Sequence, residues 1–294
     1  MQARGIVANI GARVFWGAAT YYFSLSSMTD ARSLFAFRVF WAFAFSLIVC
    51  LALGQRTVLL RSVRDLHSFW VSVLASLLIA SNWFVVIRSV TDGDLVTTSL
   101  GFYVSPLLTV GCGIVLLGER FNAGVVLSLA LCAAAVMLLF RHAASTPWPV
   151  LYIAATSTAY AYLRKLRPLP TVVANTIETG VATLVAPMLF AAASGGIWLP
   201  ATHGDSVPYL AGLGVVTTLP MLLYVYSLDK IPLALTGYLQ YVTPTLMIAV
   251  GALVLHEPIG ASKSAAIGLI WVSVIVWFVS KQAPFGRLSR QEIK

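Results

Sequence analysis

The sequence predicts an all-α integral membrane protein of ten transmembrane helices, arranged as a five-plus-five inverted repeat around a central cavity. Three observations lead to this fold class. Hydrophobic residues make up 59% of the 294 residues and charged residues only 10%, with a mean hydropathy of +0.89. Apolar runs long enough to cross a bilayer follow one another along the chain. One segment of the chain also occurs twice.

A spanning helix needs about 20 mostly apolar residues to cross about 30 Å of hydrocarbon. Proline and glycine inside such a run are tolerated, because neighbouring helices can satisfy the freed carbonyl groups. No run alternates apolar and polar residues as a transmembrane barrel would. Connections are too short for a separate soluble domain, the longest being residues 54–68 and 194–206. Ten runs qualify, at residues 5–25, 33–53, 69–87, 95–117, 123–140, 148–163, 171–193, 207–228, 233–255 and 264–280.

The repeated segment lies at residues 99–119 and 237–257. A shift of 138 positions gives seven identities in 21 positions, which include the pairs Tyr103 and Tyr241, Pro106 and Pro244, and Glu119 and Glu257. We therefore predict two units, residues 1–143 and residues 144–294, each of five helices. Because five is odd, the second unit enters the membrane upside down, as in many secondary transporters. The paired prolines each remove a helical N–H, which predicts either a loosened turn for substrate contact or a plain packing kink.

The basic residues indicate membrane topology. The net charge is +9, and with the N-terminus in the cytoplasm 13 of the 19 Lys and Arg residues fall in inner segments. This is the positive-inside bias. We therefore expect both termini in the cytoplasm and contact with anionic lipid, and no nucleic acid partner. The first run is interrupted by Arg13 and lacks a small-x-small cleavage site, so we expect a retained helix rather than a signal peptide.

Motifs of enzymes and metal sites are missing from the sequence. It contains no P-loop, GxSxG or HExxH motif, and its four histidines lie in four separate connections. The three cysteines are odd in number and lie in apolar runs, so no disulfide framework is expected. We expect no enzymatic activity, no cofactor and no metal. Transport energy would then come from an ion gradient or from the gradient of the substrate itself.

Several motifs together resemble the RarD family, within the EamA group of the drug/metabolite transporter superfamily. They are FRVFW at 37–41, Asn82-Trp83, SLGFYVSPLL at 99–108, LLGERF at 116–121, Glu178-Thr179 and the stretch at 215–247. The resemblance implies ten helices in a five-plus-five inverted repeat, with a cavity lined mainly by the first, third, fourth, sixth, eighth and ninth. It also implies export of small metabolites, amino acids or drugs from the cytoplasm across a bacterial inner membrane. The chain departs from the family pattern at Arg13, Thr20, Ser24, Phe37, Arg88 and Ser105.

Three charges fall inside predicted spans, where burial is costly and each charge suggests a function. Glu178 is either a proton carrier or a partner of a nearby arginine in a permanent ion pair. Arg13 lies at a depth that matches Glu178, and Arg38 starts from the outer side. The resemblance assigns an arginine to position 38 and a glutamate to 178, but nothing basic to 13. Arg13 would favour a substrate with a carboxylate or phosphate if it faces the cavity, and would otherwise snorkel to lipid headgroups.

Uncharged candidates for the cavity come from the repeat-matched helices. A metabolite site needs a few hydrogen-bonding groups among aromatic walls, although aromatic residues in membrane helices more often pack or form interfacial belts. The candidates are Trp16, Asn82, Trp83, Tyr103, Ser105, Tyr160, Gln240, Tyr241 and Thr243.

The sequence therefore predicts a secondary transporter that works by alternating access, as a proton-coupled or facilitative exporter of small polar metabolites. An uptake permease of the same fold remains the alternative, because architecture does not determine direction. A membrane-embedded enzyme would need clustered catalytic residues near one face, and a passive scaffold would need no duplicated pair of proline-broken helices. We expect a monomer or weak dimer.

Overall fold

The structure, a computed structural model, describes residues 2–25, 30–91, 95–119, 121–140, 147–202, 204–253 and 261–282. Within these ranges the chain forms helices and no strand. The helices are α1 Gln2–Ser24, α2 Ala31–Ala52, α3 Arg56–Arg64, α4 Leu66–Thr91, α5 Leu95–Val115, α6 Ala123–Phe140, α7 Pro147–Leu166, α8 Thr171–Ser194, α9 Val207–Leu228, α10 Leu233–Leu239, α11 Val242–Leu253 and α12 Ala261–Gln282.

Several of these helices have the length and composition of membrane spans. In the described part of the chain four qualify outright: α2, residues 66–89 of α4, α8 and α9. Shorter apolar helices occupy residues 101–115, 123–138 and 264–280, within α5, α6 and α12. Many large apolar side chains on these helices are exposed on the isolated chain, among them Leu184, Met188 and Leu189 at 60–71%. A bilayer would cover such side chains, so the protein is an all-helical multi-pass membrane protein.

The twelve helices of the described residues differ in number from the ten predicted spans for two reasons. The connection predicted at residues 54–68 contains a helix of its own, α3. Its sequence, RTVLLRSVR, places Leu59 against α8, where it packs near Val173, and its last turn carries Arg61 and Arg64. Basic side chains at a helix C-terminus interact favourably with the helix dipole. The second reason is that the ninth predicted run divides into α10 and α11.

The division between α10 and α11 follows from Pro244. Proline has no N–H, so the carbonyl of Gln240 cannot receive the usual bond from four residues ahead. It accepts instead from the N–H of Thr243 at 3.2 Å, and the N–H of Tyr241 donates to the carbonyl of Tyr238 at 3.3 Å. These three-residue bonds tighten the chain and interrupt the helix at Gln240 and Tyr241.

The proline in the equivalent position of the first unit does not interrupt its helix. Pro106 lies inside α5, which runs without a break from Leu95 to Val115. Pro187 and Pro220 likewise lie inside continuous helices, α8 and α9. A proline therefore permits a break in this protein but does not by itself produce one.

Helices of the two sequence halves pack against each other throughout. Contacts join α2 to α8 and α9, α1 to α9 and α11, α4 to α7 and α8, α5 to α7 and α10, and α6 to α12. Small residues allow close approach. A Cβ built on Gly237 of α10 would lie 2.6 Å from Cγ2 of Val110 and 3.0 Å from the carbonyl oxygen of Pro106, so α10 presses directly on α5.

The connection after α5 also ties the two halves together. The Glu119 carboxylate accepts the N–H groups of Leu233 at 2.6 Å and Ala234 at 2.8 Å, the first residues of α10. A negative charge at a helix N-terminus satisfies free donors and complements the dipole. The repeat partner of this residue, Glu257, lies outside the described residues, as does the end of the ninth predicted run.

Candidate functional site

Arg13 lies inside the protein rather than toward lipid headgroups. Its side chain is 8% exposed. Its Nε donates to Oδ1 of Asn9 one turn earlier at 3.3 Å, and Asn9 in turn donates to Oγ of Ser227 on α9 at 2.8 Å. The guanidinium carbon lies 4.5 Å from the ring centre of Tyr224 and 5.1 Å from that of Trp16. Nη2 has no hydrogen-bond partner among the described residues.

Arg38 forms a second buried cation site on α2. Its side chain is 5% exposed, and its Nε donates to Oγ1 of Thr217 on α9 at 3.0 Å. The guanidinium carbon lies 4.8 Å from the ring centre of Trp83 on α4. Two of the predicted site residues, Arg38 and Trp83, are thus in direct contact. The hydrogen bond to Thr217 and the cation–π contact with Trp83 link α2 to α9 and α4.

Glu178 on α8 is paired with an arginine that the sequence analysis did not consider. Arg164 of α7 forms a salt bridge with Glu178 and donates from its Nε to Oε1, and the hydroxyl of Tyr160 donates to Oε2 at 2.9 Å. The sixth predicted span ended at residue 163, before Arg164, whereas α7 extends to Leu166 and Arg164 is 1% exposed. The sequence analysis compared the membrane depths of Arg13 and Arg38 with that of Glu178, but neither arginine is among the partners of Glu178.

Aromatic rings connect the Arg13 site to the Glu178 pair. Tyr224 lies edge-on to Trp16 with ring centres 5.5 Å apart, and it stacks on Tyr160 with ring centres 6.4 Å apart. Tyr160, a predicted cavity residue, therefore contacts Tyr224 with its ring and Glu178 with its hydroxyl. Together with Arg38 and Thr217, the residues of the Arg13 site and the Glu178 pair form the central cluster, which joins α1, α2, α7, α8 and α9.

The remaining polar candidates lie where α5 meets α7 and α10. Asn82 of α4 donates to the carbonyl oxygen of Ile153 at 2.8 Å and to Oγ1 of Thr156 at 2.9 Å, so its amide ties α4 to α7. Ser105 lies 3.1 Å from the hydroxyl of Ser157. Gln240 donates from Nε2 to Oγ1 of Thr109 at 3.4 Å, across the α5–α10 contact.

Tyr103 and Tyr241, the repeat-matched tyrosines, face each other. Their ring centres are 6.4 Å apart, both are almost fully buried, and neither hydroxyl has a hydrogen-bond partner among the described residues. They pack with Cys132 in an apolar cluster separate from the central one. Thr243 follows the helix break and donates to the carbonyl oxygen of Arg13 at 3.2 Å, which places α11 beside the Arg13 site.

The sequence analysis missed five residues of the central cluster: Asn9, Arg164, Thr217, Tyr224 and Ser227. Asn9 could have been found, because it precedes Arg13 by four residues and so shares its helix face. The others could not, because only the packing of α7 and α9 brings them to the cluster. Among the described residues no group of three or more His, Cys, Asp or Glu side chains could hold a metal.

The sequence matches the EamA-like transporter family twice, over residues 3–141 and 148–279. "Uncharacterized transporter YojE" of Bacillus subtilis (strain 168) is 32% identical over 299 residues, which covers 98% of this chain and 97% of that protein. An "Uncharacterized transporter" of Vibrio cholerae is 30% identical over 94% of this chain and 92% of its own length. "Protein RarD" of Escherichia coli (strain K12) is 27% identical over 93% of each.

A solved structure titled "Crystal structure of protein" superposes with a TM-score of 0.74 over 96% of this chain and 100% of its own. Its 18% identity supports a shared fold. The family match spans most of the chain, and the relatives are named as transporters, so the resemblance to the RarD and EamA group is confirmed. The chain belongs to the EamA-like transporter family and is a membrane transporter rather than an enzyme.

Proposed function

We propose that this protein is a secondary transporter of small polar metabolites, amino acids or drugs, built as a five-plus-five inverted repeat and working by alternating access in a bacterial inner membrane. The two units are residues 1–143 and 144–294, and both termini face the cytoplasm. Substrate would bind at the central cluster formed by α1, α2, α7, α8 and α9, where Arg13 and Arg38 lie. The asymmetry of the two proline-containing helices, α5 and α10–α11, carries this proposal.

Helix packing supports the inverted repeat. In chain order α1 corresponds to α7, α2 to α8, α4 to α9, α5 to α10 and α11 together, and α6 to α12. If each helix is replaced by its counterpart, the contact of α1 with α9 becomes a contact of α7 with α4, which the structure also contains. In the same way, the contact of α2 with α9 becomes the observed contact of α8 with α4. The contacts of α2 with α8 and of α6 with α12 map onto themselves. A two-fold relation between the halves accounts for this pattern.

The two halves differ in helix continuity at two adjacent pairs of equivalent positions. Gln240 and Tyr241 interrupt the helix in the second unit, whereas Phe102 and Tyr103 continue it in the first. Two repeats in one state of an alternating transporter must adopt different conformations, and they exchange them in the opposite state. We propose that α5 breaks before Pro106 when α10 and α11 join, which would open the site to the other face of the membrane.

Glu178 serves in this proposal as a fixed link between α7 and α8 rather than as a proton carrier. A carboxylate that contacts a buried guanidinium is held in its charged form by that neighbour. Protonation of Glu178 during a transport cycle would remove its negative charge and leave Arg164 buried without a counter-ion, which is costly in a low-dielectric interior. Transport would then be driven by the gradient of the substrate or by an ion bound elsewhere. Export rests on the family resemblance, and uptake by the same architecture is the alternative.

Counterflow into proteoliposomes tests the proposal with the full chain and a panel of amino acids, small organic acids and drugs. Pro106→Ala and Pro244→Ala should each slow flux, because each restores a helical bond that must open in one of the two states. Pro187→Ala is the matched control, because Pro187 lies in α8, and both α8 and its repeat partner α2 are continuous helices. This variant should transport at the rate of the unchanged protein. Equal flux in all three variants would refute the exchange of helix breaks. Absence of counterflow for every compound would refute the transporter proposal.

A further inference from the structure

Arg13 and Arg164 are both buried in the described part of the chain, at 8% and 1% exposure. Glu178 is the only buried carboxylate in the described residues. Glu178 contacts Arg164. The one available negative charge is therefore already in an ion pair with a cation other than Arg13.

Arg13 is held in place without a counter-ion. Asn9 accepts from Nε, and the rings of Trp16 and Tyr224 cover the guanidinium. No carboxylate of the described residues contacts Arg13, and its Nη2 has no hydrogen-bond partner there. Buried cations are normally paired with an anion, since desolvation is otherwise uncompensated. The side chain is thus oriented by neutral groups, and its buried Nη2 keeps an N–H donor that no described residue uses.

We propose that Arg13 binds an oxyanion group of the transported substrate, a carboxylate or a phosphate, and that the substrate class is small organic anions. This inference rests on the proposed transport function. The planar guanidinium suits such groups because its N–H donors match two oxygens. The rings of Trp16 and Tyr224 would contact the apolar part of the substrate.

The position of Arg13 also links the anion to the moving helices. The carbonyl oxygen of Arg13 accepts the hydroxyl of Thr243, the second residue of α11 after the break. On the next turn of α1, a Cβ on Gly17 would lie 2.6 Å from Cβ of Leu246. The segment of α1 that binds the anion therefore packs directly on α11, so occupancy of Arg13 can bias the state of the α10–α11 break.

Matched probes test the inference with the purified full chain in lipid nanodiscs. Benzoate, succinate and phenyl phosphate are each compared with a neutral counterpart: benzamide, succinamide and phenol. Binding is measured by thermal shift and titration, and counterflow of the same probes is measured in proteoliposomes. The variants are Arg13→Gln, Arg13→Lys and, as a control that removes an exposed arginine on α3, Arg64→Gln. Comparison of the carboxylate probes with the phosphate probe shows which of the two oxyanion groups the site binds.

We expect at least one anionic probe to bind and its neutral counterpart not to. Arg13→Gln should weaken that binding by at least about tenfold, the loss of a charge-assisted hydrogen bond. Arg13→Lys should retain part of it, and Arg64→Gln all of it. Because Arg13→Gln removes an unpaired buried charge, its thermal stability should not fall. If the thermal stability of Arg13→Gln does fall, the binding of the anionic probe to Arg13→Lys is used instead. Unchanged affinity of Arg13→Lys for that probe would overturn the proposed contact of Arg13 with two oxygens.

The remaining outcomes separate this inference from the transport proposal. Neutral and anionic probes that bind equally, or that lose affinity equally in Arg13→Gln, would overturn the anion site. Counterflow of neutral probes alone would overturn it as well while transport stands. Anion binding that depends on Arg13 without counterflow would sustain the site and refute transport. Neither binding nor counterflow for any probe would refute both.

Discussion

Replacing Glu178 by glutamine removes the negative charge from the ion pair that joins α7 to α8. Arg164 is 1% exposed, its Nη2 and Nε contact Oε1 of Glu178, and its Nη1 has no hydrogen-bond partner among the described residues. The glutamine side chain can still accept a hydrogen bond from Tyr160, whose hydroxyl oxygen lies 2.9 Å from Oε2 of Glu178 in the unchanged protein. The variant therefore isolates the loss of charge rather than the loss of volume or of the phenol contact.

Breaking a buried ion pair by removing one partner costs about 3–5 kcal/mol, because the other charge stays buried and uncompensated. Tyr160→Phe removes only one hydrogen bond to the same carboxylate and should cost about 1.5–3 kcal/mol. The double variant Glu178→Leu with Arg164→Met removes both charges. Since a well-packed apolar pair can replace an ion pair at little or no cost, the double variant should be more stable than Glu178→Gln.

The free energy of unfolding is measured in mixed micelles, with SDS as the denaturant and tryptophan fluorescence as the probe. The two single variants Glu178→Leu and Arg164→Met complete a double-mutant cycle with the double variant. Strong non-additivity is expected, because each single variant leaves one buried charge behind. A Glu178→Gln variant that loses less than about 1 kcal/mol, or a strictly additive cycle, would refute the view that this pair is a closed electrostatic unit.

Two further predictions concern helix packing and a helix cap. Gly237→Ala should disrupt the α5–α10 contact, because its Cβ would lie 2.6 Å from Cγ2 of Val110; Gly111→Ala, where a Cβ meets nothing within 4 Å, should be neutral in the same unfolding assay. Burial raises the pKa of Asp30, the N-cap of α2, but hydrogen bonds from the Ser33 hydroxyl and two backbone N–H groups outweigh it and lower the pKa overall. The stabilisation is therefore present above the ordinary aspartate pKa of about 3.9 and is lost as pH falls through the lower folded pKa. Asp30→Ala should cost about 1 kcal/mol at pH 7 and remove this acid dependence of the melting temperature.

Individual residues show how far sequence reasoning reached. Tyr103 and Tyr241 were paired by the repeat, and the structure places them face to face. The sequence allowed either a loosened turn or a packing kink at each of the paired prolines, and the helix is interrupted before Pro244 but continuous through Pro106. Depth along a helix was a poor guide to the partner of Glu178, because several arginines reach similar depths and the rotation of each helix decides which one meets it.

The sequence by itself determined that this chain crosses a membrane repeatedly, that its two halves share a motif and that it belongs with EamA-like transporters. These properties depend on features that lie close together in the sequence: the length of each apolar run, the uneven distribution of Lys and Arg, and the residues shared by the repeated segments. Only the tertiary structure decided that Arg164 pairs with Glu178 while Arg13 has no counter-ion among the described residues, and that one of two equivalent helices is broken. Such choices depend on which helix faces meet across the bundle, and residues far apart in sequence carry no local signal of that contact.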